Sequence, residues 1–227
     1  MDFLMSIKQD FITNYIMKER YINILLGLKN TLIITIGALL IGIFIGLLIA
    51  LFKILAEYNK KFKILGIFAN LYTTILRGTP VTLQLMIWVY FILAFAKDSV
   101  PVAILAFAIN SGAYVAEIFR AGIQSIDRGQ MEAGRSLGLS YGQTMRMIIL
   151  PQAFKNVLPA LGNEFIALLK ETSVVGYVAV LDLTRGAYNI RDATYSLSPL
   201  LMAAFIYLLL VIILTKALST IERRLRK

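Results

Sequence analysis

Cysteine and histidine are both absent from the 227 residues. Without cysteine there is no disulfide framework and no thiolate metal site, and redox compartment cannot be inferred. Without histidine, neither an HExxH zinc motif nor a Ser-His-Asp triad can be assembled. No GxxxxGK[ST] phosphate loop occurs, so nucleotide binding of that kind is excluded. Charge is scarce as well: Asp, Glu, Lys and Arg make up 16% of the chain.

What is present is apolar. Hydrophobic residues reach 59% and mean hydropathy is +0.76, where a soluble domain carries roughly 45–50% apolar residues. The excess must face something other than water. Asn30 to Phe52 and Ala193 to Thr215 carry no charge at all. A membrane span needs about 20 such residues, so each run can cross with some tilt. The first is too long for a signal-peptide core and no small-residue cleavage pattern follows, so it reads as a retained span. The formal net charge of +10 would suggest nucleic acid in a soluble protein. Here the basic residues lie between apolar runs, which points to membrane orientation and away from a nucleic-acid partner.

Residues 1–29 read as an N-terminal segment, partly interfacial through Phe11, Tyr15, Tyr21 and Ile22. Residues 30–220 form the transmembrane domain and 221–227 a basic cytoplasmic tail. In the first span Gly37, Gly42 and Gly46 either admit a closely approaching helix or reflect the ordinary tolerance of membrane helices for glycine. Lys53 to Lys63 reads as a cytoplasmic loop. Ile64 to Leu76 and Val81 to Ala96 are separated by Arg77-Gly78-Thr79-Pro80, where proline lacks a donor and restricts its predecessor. Val100 to about Ile123 follows, then a polar cytoplasmic loop, then Val157 to Leu181, the charge-balanced stretch Asp182 to Asp192, and the last span. Two cytoplasmic loops require an even number of crossings between them, so the interrupted pair counts as one. The expectation is an all-α integral membrane protein of about five transmembrane helices, N-terminus outside and C-terminus inside. A helix broken at membrane depth is tolerated only against protein or a water-filled cavity, so the break itself points to a cavity.

The loop at residues 125–151 reads SIDRGQMEAGRSLGLSYGQTMRMIILP. Asp127 with Gln130, and Ser140 with Gln143, each have capping-box spacing. Gly138 lies where a helix end wants a left-handed residue, and Pro151 is expected to stop the second helix. Two short helices bent at Gly138-Leu139, outside the bilayer, are predicted.

Gln130-Met131-Glu132-Ala133-Gly134, then Gly138, then Leu150-Pro151 resembles the EAA loop of membrane subunits of bacterial ABC importers. Gly134 stands where that pattern has alanine. Further stretches resemble the branch for histidine, glutamine, glutamate, arginine and opines: Arg77-Gly78-Thr79-Pro80 with Gln84-Leu85; Asn110-Ser111-Gly112-Ala113-Tyr114 with Glu117 and Arg120; Pro151-Gln152, Pro159, Asn163 and Leu169-Lys170-Glu171-Thr172-Ser173. The likeness covers roughly Leu25 to Leu218. It implies a type I importer permease core whose coupling helix docks on a cytoplasmic ATPase through Gln130, Glu132, Ala133, Gly134, Ser136, Leu137 and Gly138. It also implies two such ATPase subunits holding ATP and Mg, a second permease subunit (identical or related), and an extracytoplasmic amino-acid-binding protein. This chain would hold no cofactor or metal and perform no covalent chemistry.

Ionisable groups inside spans are costly and usually face a cavity or a partner. Glu117 and Arg120, one turn apart, can pair, as a clamp or as part of a site. Glu164 has Ala167 and Leu168 at its helical neighbour positions and is preceded by Asn163, which suits a substrate ammonium or guanidinium. The broken helix near Thr79 can offer backbone donors to a carboxylate, and Gln84, Asn110 and Tyr114 add neutral polar groups. Each of these side chains could equally serve to join helices. The reading is an importer of polar amino acids, with Glu164 favouring cationic ones. Intramembrane carboxylates and a broken helix also fit an ion-coupled secondary transporter, the alternative, and a non-transporting assembly subunit is a third reading.

Overall fold

The computed structural model describes residue 9 and residues 11–225. Most of the expected interfacial segment's first ten residues, and Arg226 and Lys227 of the basic tail, lie outside them. Among the described residues all regular structure is helical.

Helix α1, Tyr21–Tyr58, has 38 residues and at 1.5 Å per residue is about 57 Å long, well beyond a hydrocarbon core of about 30 Å. It therefore extends past the uncharged run at both ends and takes in Lys53, which the sequence had suggested for a loop. After Asn59 turns extended, α2 (Lys63–Gly78) and α3 (Val81–Ile87, continued as a π turn to Ile92) meet at 105° across Thr79-Pro80. The second piece thus ends short of the expected Ala96. Helix α4, Ser99–Gln124, begins where the Asp98 carboxylate accepts from the Val100 amide at 2.9 Å. It is the centre of the fold, with Phe107, Ala108, Ala113, Val115 and Ala116 sealed from solvent.

The close-approach reading of the α1 glycines holds. A methyl group on Gly42 would meet Ser111 Cβ at 3.2 Å, and one on Gly46 would meet Val115 Cγ1 at 2.5 Å and the Ala116 amide nitrogen at 2.9 Å. Gly42 and Gly46, four residues apart, let the α1 and α4 backbones nearly touch, the small-residue packing used where lipid supplies no hydrophobic drive between helices.

Helix α5 (Arg128–Ser136) and α6 (Tyr141–Thr144) form the bent pair. Pro151 does not stop the second helix. A π turn over Met145–Ile149 runs without a break into α7, Leu150–Glu171, and Pro151 falls directly after that turn, where the shifted hydrogen bonds of a π turn accommodate a residue without an amide donor. The fourth expected crossing therefore starts at Leu150 and ends at Glu171, and Thr172–Val178 is a 3₁₀ turn. The charge-balanced stretch from Asp182 is helix α8, Leu183–Thr194, whose start Asp182 caps by accepting from the Thr184 and Arg185 amides at 3.0 and 2.9 Å. Tyr195, in the left-handed region at φ 54°, ends that excursion. The last span is α9, Ser198–Leu225, so Ala193 and Thr194 belong to the preceding helix. Tyr15 is buried against α8 and α9 rather than lying on the membrane surface.

By length and apolarity α1, α4 and α9 can each cross a membrane, and the bent pair α2–α3 makes a fourth. Helix α7, at 22 residues, has the length for the fifth crossing but carries Lys155, Glu164, Lys170 and Glu171. Such a helix needs other protein or a hydrated cavity beside it.

Candidate functional site

A cavity of about 650 Å³ lies between α4 and α7, beside the contact they make through Val115 and Val157. From α4 come Tyr114, Glu117, Ile118 and Ala121; from α7 come Asn156, Ala160, Asn163, Glu164 and Ala167; Arg77 of α2 stands at its edge. Each set has the three-, one- and four-residue steps of a single helix face, so one face of each helix looks into the space. The Glu164 carboxylate accepts a 2.7 Å hydrogen bond from Ser111 Oγ on α4. Among the described residues it has no ion pair. A carboxylate this enclosed, with a neutral hydroxyl for company, is suited to a cation entering the cavity.

Glu117 is the opposite case. Its carboxylate meets Lys53 Nζ at 2.6 Å and Arg120 at 2.7 and 2.9 Å, and Arg77 approaches to 3.9 Å. Lys53 Nζ also donates to Thr73 Oγ1 at 2.8 Å. The expected pairing with Arg120 is present, within a node that ties α1, α2 and α4 together. Arg77 is the loosest member: it is 45% exposed and its guanidinium lies 5.4 Å from the centre of the Tyr114 ring. The cavity thus has a free carboxylate and, at its border, a cation whose nearest anion is already satisfied.

Thr79, Gln84 and Asn110 come together elsewhere, at the break between α2 and α3. Gln84 Nε2 donates to the Leu76 carbonyl at 2.9 Å and to Thr79 Oγ1 at 2.7 Å. Asn110 Nδ2 donates to the same carbonyl at 3.1 Å and to Gln84 Oε1 at 2.9 Å. These amides supply the partners that the interrupted backbone lost, which a break inside a membrane demands. The amide nitrogens of both, Gln84 Oε1 and the Thr79 hydroxyl are occupied by that task, and Gln84 and Asn110 are buried.

The loop geometry is built locally. Ser140 and Gln143 form a reciprocal capping box. Asp127 caps by accepting from the Gly129 amide at 2.6 Å, without the reciprocal bond expected from Gln130. Gly138 has φ +86°, and the Leu139 and Gly138 amides return to the Gly134 and Arg135 carbonyls at 3.1 and 3.0 Å, a Schellman ending. Gly134 is buried. A methyl there would meet Thr144 Cγ2 at 2.5 Å, so glycine lets α5 lie directly on α6. Gln130, Glu132, Ala133, Ser136 and Gly138 are exposed, and Leu137 is 82% exposed, an apolar side chain left bare beside charged ones. Tyr141 stacks on Tyr58 at the end of α1, ring centres 4.2 Å apart. Burial, then the nearby Tyr58 and Glu57, push the Tyr141 hydroxyl above its ordinary pKa.

Lys53, Tyr58 and Ser111 were not singled out from the sequence as functional. The available signal was weak: Lys53 is the first charge after an uncharged run, and its partner is 64 positions away.

Comparison with known proteins decides the class. Residues 42–227 match the family described as binding-protein-dependent transport system inner membrane component. The chain belongs to that family. It is 45% identical over 208 residues to the arginine transport system permease protein ArtQ of Bacillus subtilis (strain 168), covering 89% of this chain and 92% of that one. It is 36% identical over 210 residues to the glutamine transport system permease protein GlnP of Escherichia coli (strain K12), covering 88% and 91%. A crystal structure of an amino acid ABC transporter with histidines superposes with a TM-score of 0.85 at 42% identity, covering 92% of this chain and 96% of that chain. The MetNI methionine ABC transporter, inward facing, has a TM-score of 0.78 at 20% identity and shares the fold. This permease is therefore a multi-pass membrane transport component with the ABC-importer fold, not an enzyme, and nothing in these matches supports an ion-coupled carrier.

Proposed function

We propose that this permease carries polar amino acids, cationic ones preferentially, inward across the bacterial inner membrane. The observation that carries the reading is Glu164, enclosed in the α4–α7 cavity and bonded to a neutral hydroxyl, with the Arg77 guanidinium at the cavity's edge. A free amino acid presents a carboxylate and an ammonium together. Arg77 offers the counter-charge for the first, and Glu164 and Asn163 for the ammonium or a cationic side chain. The names of the relatives, which include arginine and glutamine systems, support the substrate class.

The working assembly in this reading contains a second permease subunit, two cytoplasmic ATPase subunits that hold ATP and Mg, and an extracytoplasmic amino-acid-binding protein. The N-terminus lies outside and the C-terminus inside. Helix α5 docks on the ATPase through Gln130, Glu132, Ala133, Ser136 and Leu137. ATP binds one arrangement of the pair better than the other and so shifts the population between outward and inward openings. The near-continuous helix from Tyr141 to Glu171 links the docking loop to Glu164, about 35 Å along its axis.

The test is uptake by the complete assembly in vesicles. Loss of a hydrogen bond to a charged group costs about 1.5–3 kcal/mol, so Glu164→Gln should lower apparent affinity for arginine, lysine and histidine about tenfold or more, with glutamine less affected. Unchanged uptake of the cationic amino acids would refute the site, and uptake independent of ATP would refute the mechanism.

A further inference from the structure

A second space, about 720 Å³, opens on the other side of Glu117, between the end of α1, the length of α2 and the end of α4. Lys53, Lys63, Arg77 and Arg120 line it against Glu57 and Glu117, so cations outnumber carboxylates. Arg77 and Glu117 border both this space and the cavity that holds Glu164. The two are neighbours divided by Glu117, which Lys53 and Arg120 hold, and by the loosely held Arg77.

Helix α2 has two faces. Asn70, Thr73, Thr74 and Arg77 follow one another at steps of three, one and three residues along the wall of this groove, and Asn70, Thr74 and Arg77 are exposed. Ile64, Phe68, Leu71 and Ile75, also exposed, recur every three or four residues on a line about 130° away around the helix, at 100° per residue. A membrane helix can leave the second line against lipid. It cannot leave the first there, because exposed amide, hydroxyl and guanidinium groups need water or other polar partners.

We infer that the Asn70–Thr74–Arg77 stripe of α2 lines the inner half of the passage, along which a hydrated amino acid leaves the Glu164 cavity once Arg77 moves aside. The inference rests on the transport reading above. The surplus of cations along the groove gives the departing carboxylate successive counter-charges. Glu117 keeps Lys53 and Arg120 when Arg77 leaves it, so the movement uncovers no bare charge.

The absence of cysteine provides the experiment. Asn70→Cys and Thr74→Cys each place the sole thiol of this chain on the stripe, and Phe68→Cys and Leu71→Cys place it on the apolar line. The complete assembly in vesicles is treated with a charged, membrane-impermeant maleimide on the ATPase side. The stripe thiols should react at least tenfold faster than the apolar-line thiols, and labelled assemblies should lose ATP-driven uptake. Equal rates, or labelled stripe variants that transport normally, would overturn the inference. ATP-driven uptake by the wild-type assembly is measured first. Its absence strikes the transport reading itself, whereas a wild type that transports with ATP while stripe and apolar-line thiols label equally sinks the passage alone.

Discussion

The ionic node around Glu117 makes an unequal demand on its members, and that inequality is measurable. Lys53 is 7% exposed and has one carboxylate, with the Thr73 hydroxyl as its other polar contact. Glu117 has Lys53 and a two-pronged Arg120, with Arg77 at 3.9 Å. Glu117→Gln strands a buried ammonium, and breaking a buried pair from that side costs about 3–5 kcal/mol. Lys53→Met keeps the length of the side chain and leaves the carboxylate with Arg120, so the loss is nearer that of one charge-assisted hydrogen bond, about 1.5–3 kcal/mol. The double variant removes both charges that depend on each other and should be more stable than Glu117→Gln alone. The assay is equilibrium unfolding of the permease in lipid nanodiscs for the wild type, both single variants and the double. If Lys53→Met proves as damaging as Glu117→Gln, or the two costs simply add, the account of the node is wrong.

Two backbone predictions follow from the glycines. Gly138→Ala should cost about 1–2 kcal/mol in the same unfolding assay, because a methyl there meets no atom within 4 Å and the penalty is that of the left-handed backbone alone; equal stability would remove Gly138 as the cause of the bend. Gly46→Ala should cost about 1–3 kcal/mol by pushing α1 from α4, since its neighbour at 2.9 Å is the Ala116 backbone. Gly78→Ala, with nothing within 4 Å of the new methyl, is the comparison and should change stability far less.

The features legible in advance are those whose chemistry is local. The Ser140–Gln143 box, the left-handed Gly138 and the Glu117–Arg120 pair each join residues three apart or fewer, so spacing alone identifies them. The break at Thr79-Pro80 was legible because proline removes a donor wherever it sits. Pro151 misled for the same reason: without knowing that a π turn directly precedes it, a missing donor reads as a stop. The boundaries of α1, α7 and α9 were missed because hydropathy marks where charge begins, whereas α1 continues through Lys53 once a partner neutralises it.

The sequence by itself determined that the chain is a membrane helix bundle with an interrupted span and a bent polar loop, because runs without charge, proline and glycine restrict the backbone in any context. Only the tertiary structure decided that Lys53 is buried beside Glu117, that Asn110 and Gln84 repair the break, and that Ser111 bonds Glu164 at the side of a cavity. Those pairs lie 64, 26 and 53 positions apart. At such separations no local spacing says who meets whom, and the close approach of α1 and α4 through Gly42 and Gly46 helps set the packing in which they meet.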